Sequence, residues 1–189
     1  MAYQLLSNEA QDAIATGASS SRLHQWDHVP DSTWNRIWAI KTLPKIKSFI
    51  WRACAQGIAS GEGLHSRQVP IDPSCCRCGT EKESVDHILL GCSFAHLVWF
   101  GSSLSYSPLS DHIPLLHEWL GSWDALFRSN KKLARESFSR ASFLCWYLWL
   151  AINDLVFNVK IWTPQEVITV AEKAYVDSLQ LIQGIINRM

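Results

Sequence analysis

The densest chemistry in the chain lies between Ser74 and Cys92, which read SCCRCGTEKESVDHILLGC. Cys75 and Cys78 form a C-x2-C pair. His87 and Cys92 follow, separated by four residues, so the run reads C-x2-C-x8-H-x4-C. Two residues between thiols let both sulfurs face one ion from a tight turn, and three thiolates with one imidazole complete a tetrahedral Zn²⁺ shell. No position is left open for water or substrate, so such a site holds structure rather than performs catalysis. Gly79 follows the pair and suits the positive φ that such turns need. Three thiolates and Zn²⁺ leave one net negative charge, which Arg77 or Lys82 could offset. Cys76 stands beside the pair. A Cys76/Cys78 chelate has only one residue between ligands and is poorer, so Cys76 is read as a bystander. A disulfide knot and a metal-free cluster are the alternatives.

A second candidate is electrostatic. Between Trp34 and Val69 lie Arg36, Lys41, Lys45, Lys47, Arg52 and Arg67 against a single acid, Glu62. The whole chain balances 17 basic against 17 acidic residues, so any attraction for a polyanion must come from such local excess. Lys41, Lys45, Lys47, Arg52 and Arg67 are therefore the candidate phosphate contacts for RNA or DNA. The plain alternative is a solvated helix face. Trp34, Trp38 and Trp51 interleave with these charges and could stack on bases, although their helical spacing favours burial.

Other catalytic signals are missing. No phosphate-cradling or nucleophile-elbow motif occurs, and the GEG at 61–63 reads as a turn. His24, His28, His65, His96, His112 and His117 are scattered and read as surface or core residues. Asp86 precedes His87 and is read as a solvated carboxylate, with a hydrogen bond to a metal ligand as the alternative. No acidic cluster is spaced to hold paired magnesium ions, so no enzymatic activity is expected.

Composition bounds the rest. The 189 residues are 48% hydrophobic and include ten tryptophans, enough for a buried core. The N-terminus lacks the basic start and apolar run of a signal peptide. The longest apolar run, Phe143 to Ile152, is too short to span a bilayer. An intracellular, reducing location without a membrane partner is expected, where six cysteines act as ligands or core thiols. Cys54 and Cys145 sit in apolar helical patterns and fit the second role.

Helices must position these groups. AYQLLSNEAQDAIA has helical spacing, and TGASSS reads as a linker. DSTWNRIWAI offers Asp31 or Ser32 as an N-cap. PKIKSFIWRACAQG predicts a helix opening at Pro44 and closing near Gly57, with Ile46, Phe49, Ile50, Ala53 and Cys54 on its buried face. FAHLVWF predicts a helix capped by Ser93. SDHIPLLHEWLGSW gives a short helical region. KKLARESFSRASFLCWYLWLAINDLVF predicts a long central helix. A final helix opens on a capping box, Thr163 and Glu166, with Pro164 at its first position. No alternating strand of useful length occurs, and a small hairpin at the cysteines is the only β structure expected. The fold class is mostly α: a small helical domain organised around a Cys-Cys-His-Cys zinc knuckle, with a C-terminal helical extension.

The run from Trp34 to Trp99 resembles the reverse-transcriptase zinc-binding domain of plant LINE-type (non-LTR) retroelements. The resemblance rests on Trp34, Ile37 and Trp38; on Pro44, Lys45, Ile46, Lys47, Phe49 and Trp51; on Arg67; on Cys75, Cys78 and Gly79; on Glu83, Ser84 and His87; and on Cys92 and Trp99. One departure is Cys76, where the family usually has proline. AYQLL and the later WLAINDLVFN extend the likeness, with Ile152 in place of the arginine of the second motif. The resemblance implies a Zn²⁺-binding accessory module beside a reverse transcriptase or an RNase H protein. No Y-x-D-D polymerase motif is present, and the chain reads as an isolated fragment of a retroelement reading frame. The expected organisation is an N-terminal helix and linker over 1–21, the zinc-binding domain over 31–101 and the helical extension over 112–189. Two functions follow: weak binding of RNA or DNA through a basic helix, or a zinc-stapled scaffold for protein partners.

Overall fold

The computed structural model describes residues 29–79, 82–107 and 114–188. The expected N-terminal helix and linker lie outside the described residues, as do Trp26, His24, His28 and His112.

Helix α1 (Asp31–Ala39) is preceded by Pro30, whose extended backbone takes the N-cap position. Asp31 sits in the first turn, and neither Asp31 nor Ser32 caps by its side chain. Helix α2 (Pro44–Cys54) opens on Pro44 and buries Ile46, Phe49, Ile50, Ala53 and Cys54, the face the spacing predicts. Its end differs from expectation. Gln56, not Gly57, takes the left-handed conformation, at φ 54°. The amide of Gly57 bonds to the carbonyl of Arg52 at 2.7 Å and that of Gln56 to Ala53 at 3.0 Å, which is a Schellman closure. Residues 61–63 are not a turn but the start of a short helix, α3 (Gly61–Ser66). Ser60 Oγ accepts from the Gly63 amide at 3.2 Å, and this cap with Glu62 in the first turn outweighs the poor helix propensity of two glycines.

Among the described residues there is no strand. The expected hairpin is reduced to one antiparallel bridge, Ser74 with Lys82. A π-helical turn over His87–Gly91 then leads into α4 (Ser93–Gly101), where Cys92 rather than Ser93 takes the cap position. Helices α5 (Leu116–Ser122) and α6 (Asp124–Ser129) follow. Helix α7 (Lys131–Asn158) is central, and α8 (Pro164–Ile186) opens with the Thr163/Glu166 capping box and Pro164 at its first position. No described helix is long and apolar enough to cross a membrane.

Helix α7 packs against α8, α6, α2 and the π turn, while α4 packs on α8. One cluster of buried side chains runs from Ile37 to Tyr175 and takes in Cys75, Ile88, Leu89, Leu90 and Cys92. Most of the tryptophans serve this core. Trp99, Trp119 and Trp149 are buried, and Trp99 meets Trp119 edge-on at 5.1 Å between ring centroids. Trp99 also donates its indole N–H to the Leu89 carbonyl at 2.7 Å, the partner such a ring needs once dry. Trp34 and Trp51 are partly buried against the core, whereas Trp38 is 51% exposed. Cys54 and Cys145 are buried thiols, and desolvation pushes both far above the ordinary thiol range, as inert core thiols require.

Candidate metal centre

Cys75 and Cys78 are held by a turn in which the Gly79 amide reaches back to the Cys75 carbonyl at 2.7 Å. Gly79 closes it at φ 70°, the conformation expected from sequence. His87 and Cys92 come from the π turn. In an α-helix, residues five apart stand about 140° apart around the axis, on nearly opposite sides. The i→i+5 bond from the Cys92 amide to the His87 carbonyl, at 2.7 Å, widens the turn and brings both residues round to one side. The His87 amide is also fixed by Ser84 Oγ at 3.0 Å.

The four ligand atoms lie within 4.8 Å of one another. Cys75 Sγ is 3.8 Å from Cys92 Sγ, and Cys78 Sγ is 3.4 Å from His87 Nε2. A tetrahedron built on Zn–S bonds of about 2.3 Å and a Zn–N bond of about 2.0 Å has edges of about 3.8 Å between sulfurs and about 3.5 Å between sulfur and nitrogen. The cluster therefore fits a tetrahedral ion with little movement, and Cys75, Cys78, His87 and Cys92 are the residues that would hold it. A bound ion there would supply a cross-link between the turn and the π segment. Cys75, His87 and Cys92 are buried and Cys78 is half-buried. A hydrogen bond shared with Cys92, together with burial, raises the Cys75 thiol to about 11, and the same bond lowers Cys92. Filling the site displaces such protons, so metal affinity falls as pH falls.

Cys76 stands outside the cluster and is exposed. Partial desolvation and the neighbouring Glu83 carboxylate push its thiol up to about 12, which keeps it protonated. Glu83 itself is buried. Its Oε1 accepts from the Gly61 amide at 2.9 Å and its Oε2 from the Cys76 amide at 3.4 Å, tying α3 to the cysteine turn. Glu83 was visible in the sequence only as part of a motif.

Asp86 is not a solvated carboxylate. It is buried and accepts from the Leu116 amide at 2.6 Å and from Gln56 Nε2 at 2.9 Å. It thus joins the end of α2 to the start of α5. Burial raises its pKa above the usual carboxylate value. Gln56, in the left-handed position, thus supplies a side-chain donor that glycine could not. Of the other histidines, His117 is buried near Asp86, His65 meets the Ile71 carbonyl at 3.1 Å, and His96 is half-buried.

Arg77 sits between the paired cysteines. Its Nη1 donates to the Trp162 carbonyl at 3.0 Å and its Nη2 to the Ala151 carbonyl at 3.2 Å. The guanidinium also lies 4.1 Å from the Phe94 ring centroid. Burial lowers its pKa, while the charges of Cys76, Cys92 and Cys75 act the other way. The cation thus offsets the thiolates' charge and docks the turn on the end of α7 and the entry to α8. Lys82 instead reaches Glu62 at 3.9 Å on the surface.

Residues 18–99 match the family model for zinc-binding in reverse transcriptase. The match takes in all four clustered residues together with α1, α2 and α3, and stops within α4. No curated protein and no solved structure matches the chain. Within this matched segment the basic candidates do not share one role. Lys41 and Arg52 are exposed, as is Arg67 just beyond α3. Lys45 is exposed and its Nζ stands 5.6 Å from the Trp146 ring centroid. Lys45 and Arg52 are seven residues apart and so lie on one side of α2. Lys47 lies on another side, half-buried, and donates to the Trp38 carbonyl at 2.8 Å. There it meets the negative end of α1.

Proposed function

We propose that the chain is a non-catalytic module, cross-linked by Zn²⁺ at Cys75, Cys78, His87 and Cys92, that holds single-stranded RNA or DNA weakly through the Lys45/Arg52 side of α2. Lys41 and Arg67 extend that contact. The observation that carries the reading is the four-ligand cluster, inside a segment matching the family model for zinc-binding in reverse transcriptase, in which Lys41, Lys45, Arg52 and Arg67 are exposed. Descent from a plant LINE-type (non-LTR) element is part of this proposal and is supported by the motif order from Trp34 to Trp99. A reverse transcriptase or an RNase H protein is the fitting protein neighbour.

A scaffold role is the second reading. Exposed apolar side chains favour it: Leu97 and Phe100 on α4, and Phe157, Val159 and Ile161 after the core of α7, are all more than half exposed. An electrophoretic shift with single-stranded RNA at low and high salt separates the two. The nucleic-acid reading expects a shift that salt removes and that Lys45→Glu with Arg52→Glu weakens at unchanged zinc content. No shift at low salt leaves the scaffold reading.

A further inference from the structure

Helix α7 opens Lys131, Lys132, Leu133, Ala134, Arg135, and its first turn holds no acidic residue. The start of a 28-residue helix is the positive end of its dipole, where cations are unfavourable and acids are usual. The turn is already capped, since Asn130 Oδ1 accepts from the Leu133 amide at 3.0 Å. The basic residues therefore do nothing for the helix and oppose it, and such local conflicts mark places kept for another purpose.

An open surface cleft of about 380 Å³ lies between this turn and α1. Three cations reach it: Arg36 from α1, and Lys131 and Arg135 from α7. Ser32 and Asn35 add hydrogen-bonding groups, and Phe127 gives an apolar wall. Arg36 is committed, since it pairs with Asp124 and lies 5.2 Å from the Phe127 ring centroid. Lys131 and Arg135 are exposed, and among the described residues neither has an acidic partner within ion-pair distance. Asp124 pairs with Arg36 and also lies 4.0 Å from Arg128.

We propose that this cleft is a phosphate-anchored site for one nucleotide unit of a single-stranded nucleic acid. Lys131, Arg135 and the positive end of α7 hold the phosphodiester. Ser32 and Asn35 face the sugar, and the Phe127 wall takes the base. This rests on the nucleic-acid reading above and adds a second contact, formed between α1 and residues beyond the segment that matches the family model.

The test uses the full zinc-loaded chain and a labelled short oligouridine, read by fluorescence anisotropy across a salt series. Lys131→Glu with Arg135→Glu should weaken binding several-fold and flatten the log–log salt slope by about 0.7 for each cation removed. The same variant should keep or raise its urea midpoint, because glutamate suits the helix start. Lys131→Ala with Arg135→Ala should flatten the slope equally and serves as the arm free of reversed charge. Wild-type binding and slope in both cleft variants, with loss in Lys45→Glu/Arg52→Glu, overturns the cleft and leaves the α2 reading. Loss in the cleft variants alone supports the cleft and removes α2 as the contact. No binding by wild type at low salt overturns both.

Discussion

Arg77 donates to the main-chain carbonyl of Trp162 at 3.0 Å across 85 positions of sequence, so the cysteine turn and the entry to α8 are one mechanical unit. Arg77→Ala leaves two carbonyls without their charged donor and removes the stack on Phe94. Hydrogen bonds to charged groups contribute about 1.5–3 kcal/mol, so a loss of about 2–3 kcal/mol is expected in urea unfolding of the zinc-loaded protein. Arg77→Lys keeps the charge but not the fork, and should recover less than half of that loss. A change below about 0.5 kcal/mol for Arg77→Ala, the level of ordinary surface substitutions, would show that the docking contributes nothing.

Asp86 stabilises a junction rather than a ligand. Asp86→Ala leaves the Leu116 amide buried without an acceptor, at a cost of about 1–3 kcal/mol. Asp86→Asn keeps an acceptor and avoids burying a charge, so it should be the milder variant by roughly 1 kcal/mol. Chemical denaturation of the two variants side by side checks the order; equal losses would contradict it.

Asp154 organises the connection from α7 to α8. It accepts from the Trp162 indole N–H at 2.7 Å and from Asn158 Nδ2 at 2.9 Å, and Lys160 Nζ lies 3.6 Å away. The bond from Trp162 does most to lower its pKa. A carboxyl depressed in the folded state adds stability that is complete above its unfolded pKa of about 3.9 and is lost as pH falls through the lower folded value. Asp154→Ala should therefore cost about 1–2 kcal/mol at neutral pH, and the gap from wild type should close below about pH 4. A gap that persists unchanged in acid would rule out this linkage.

Val159 carries backbone strain. It stands at the end of α7 with φ 54° and is 82% exposed, so a β-branched residue occupies a left-handed position with no packing in return. Left-handed φ costs an L-residue about 1–2 kcal/mol, and glycine avoids it. Val159→Gly should raise stability by about 0.5–1 kcal/mol, read as a higher melting temperature. A lower melting temperature would mean that the side chain has a partner.

The helices and the ligand set were legible because both are carried by residue type. The apolar period of α2, the capping box at Thr163 and the C-x2-C pair need no tertiary information. The π turn was not legible. Nothing in HILLG distinguishes it from α-helix, and only the need to bring His87 and Cys92 to one side selects the wider turn. The charge of Arg77 was legible as an offset to the thiolates, but its docking role, like the junction made by Asp86, was not: their partners, Leu116, Ala151 and Trp162, lie far along the chain, and sequence spacing says nothing of such pairs. The same limit applies to Lys47, whose charge reads as a surface cation until α1 is seen to end beside it.

We propose that one zinc ion, held by Cys75, Cys78, His87 and Cys92, cross-links the turn and the π segment. Structural zinc contributes roughly 10–16 kcal/mol of apparent binding energy in small modules, so the claim is testable by metal content together with folding. Elemental analysis of purified protein, paired with circular dichroism, should give one zinc per chain in wild type and in Cys76→Ser. It should give loss of both zinc and local helicity in Cys78→Ser. Absence of zinc from wild type, or its loss in Cys76→Ser while Cys78→Ser retains it, would contradict the assignment.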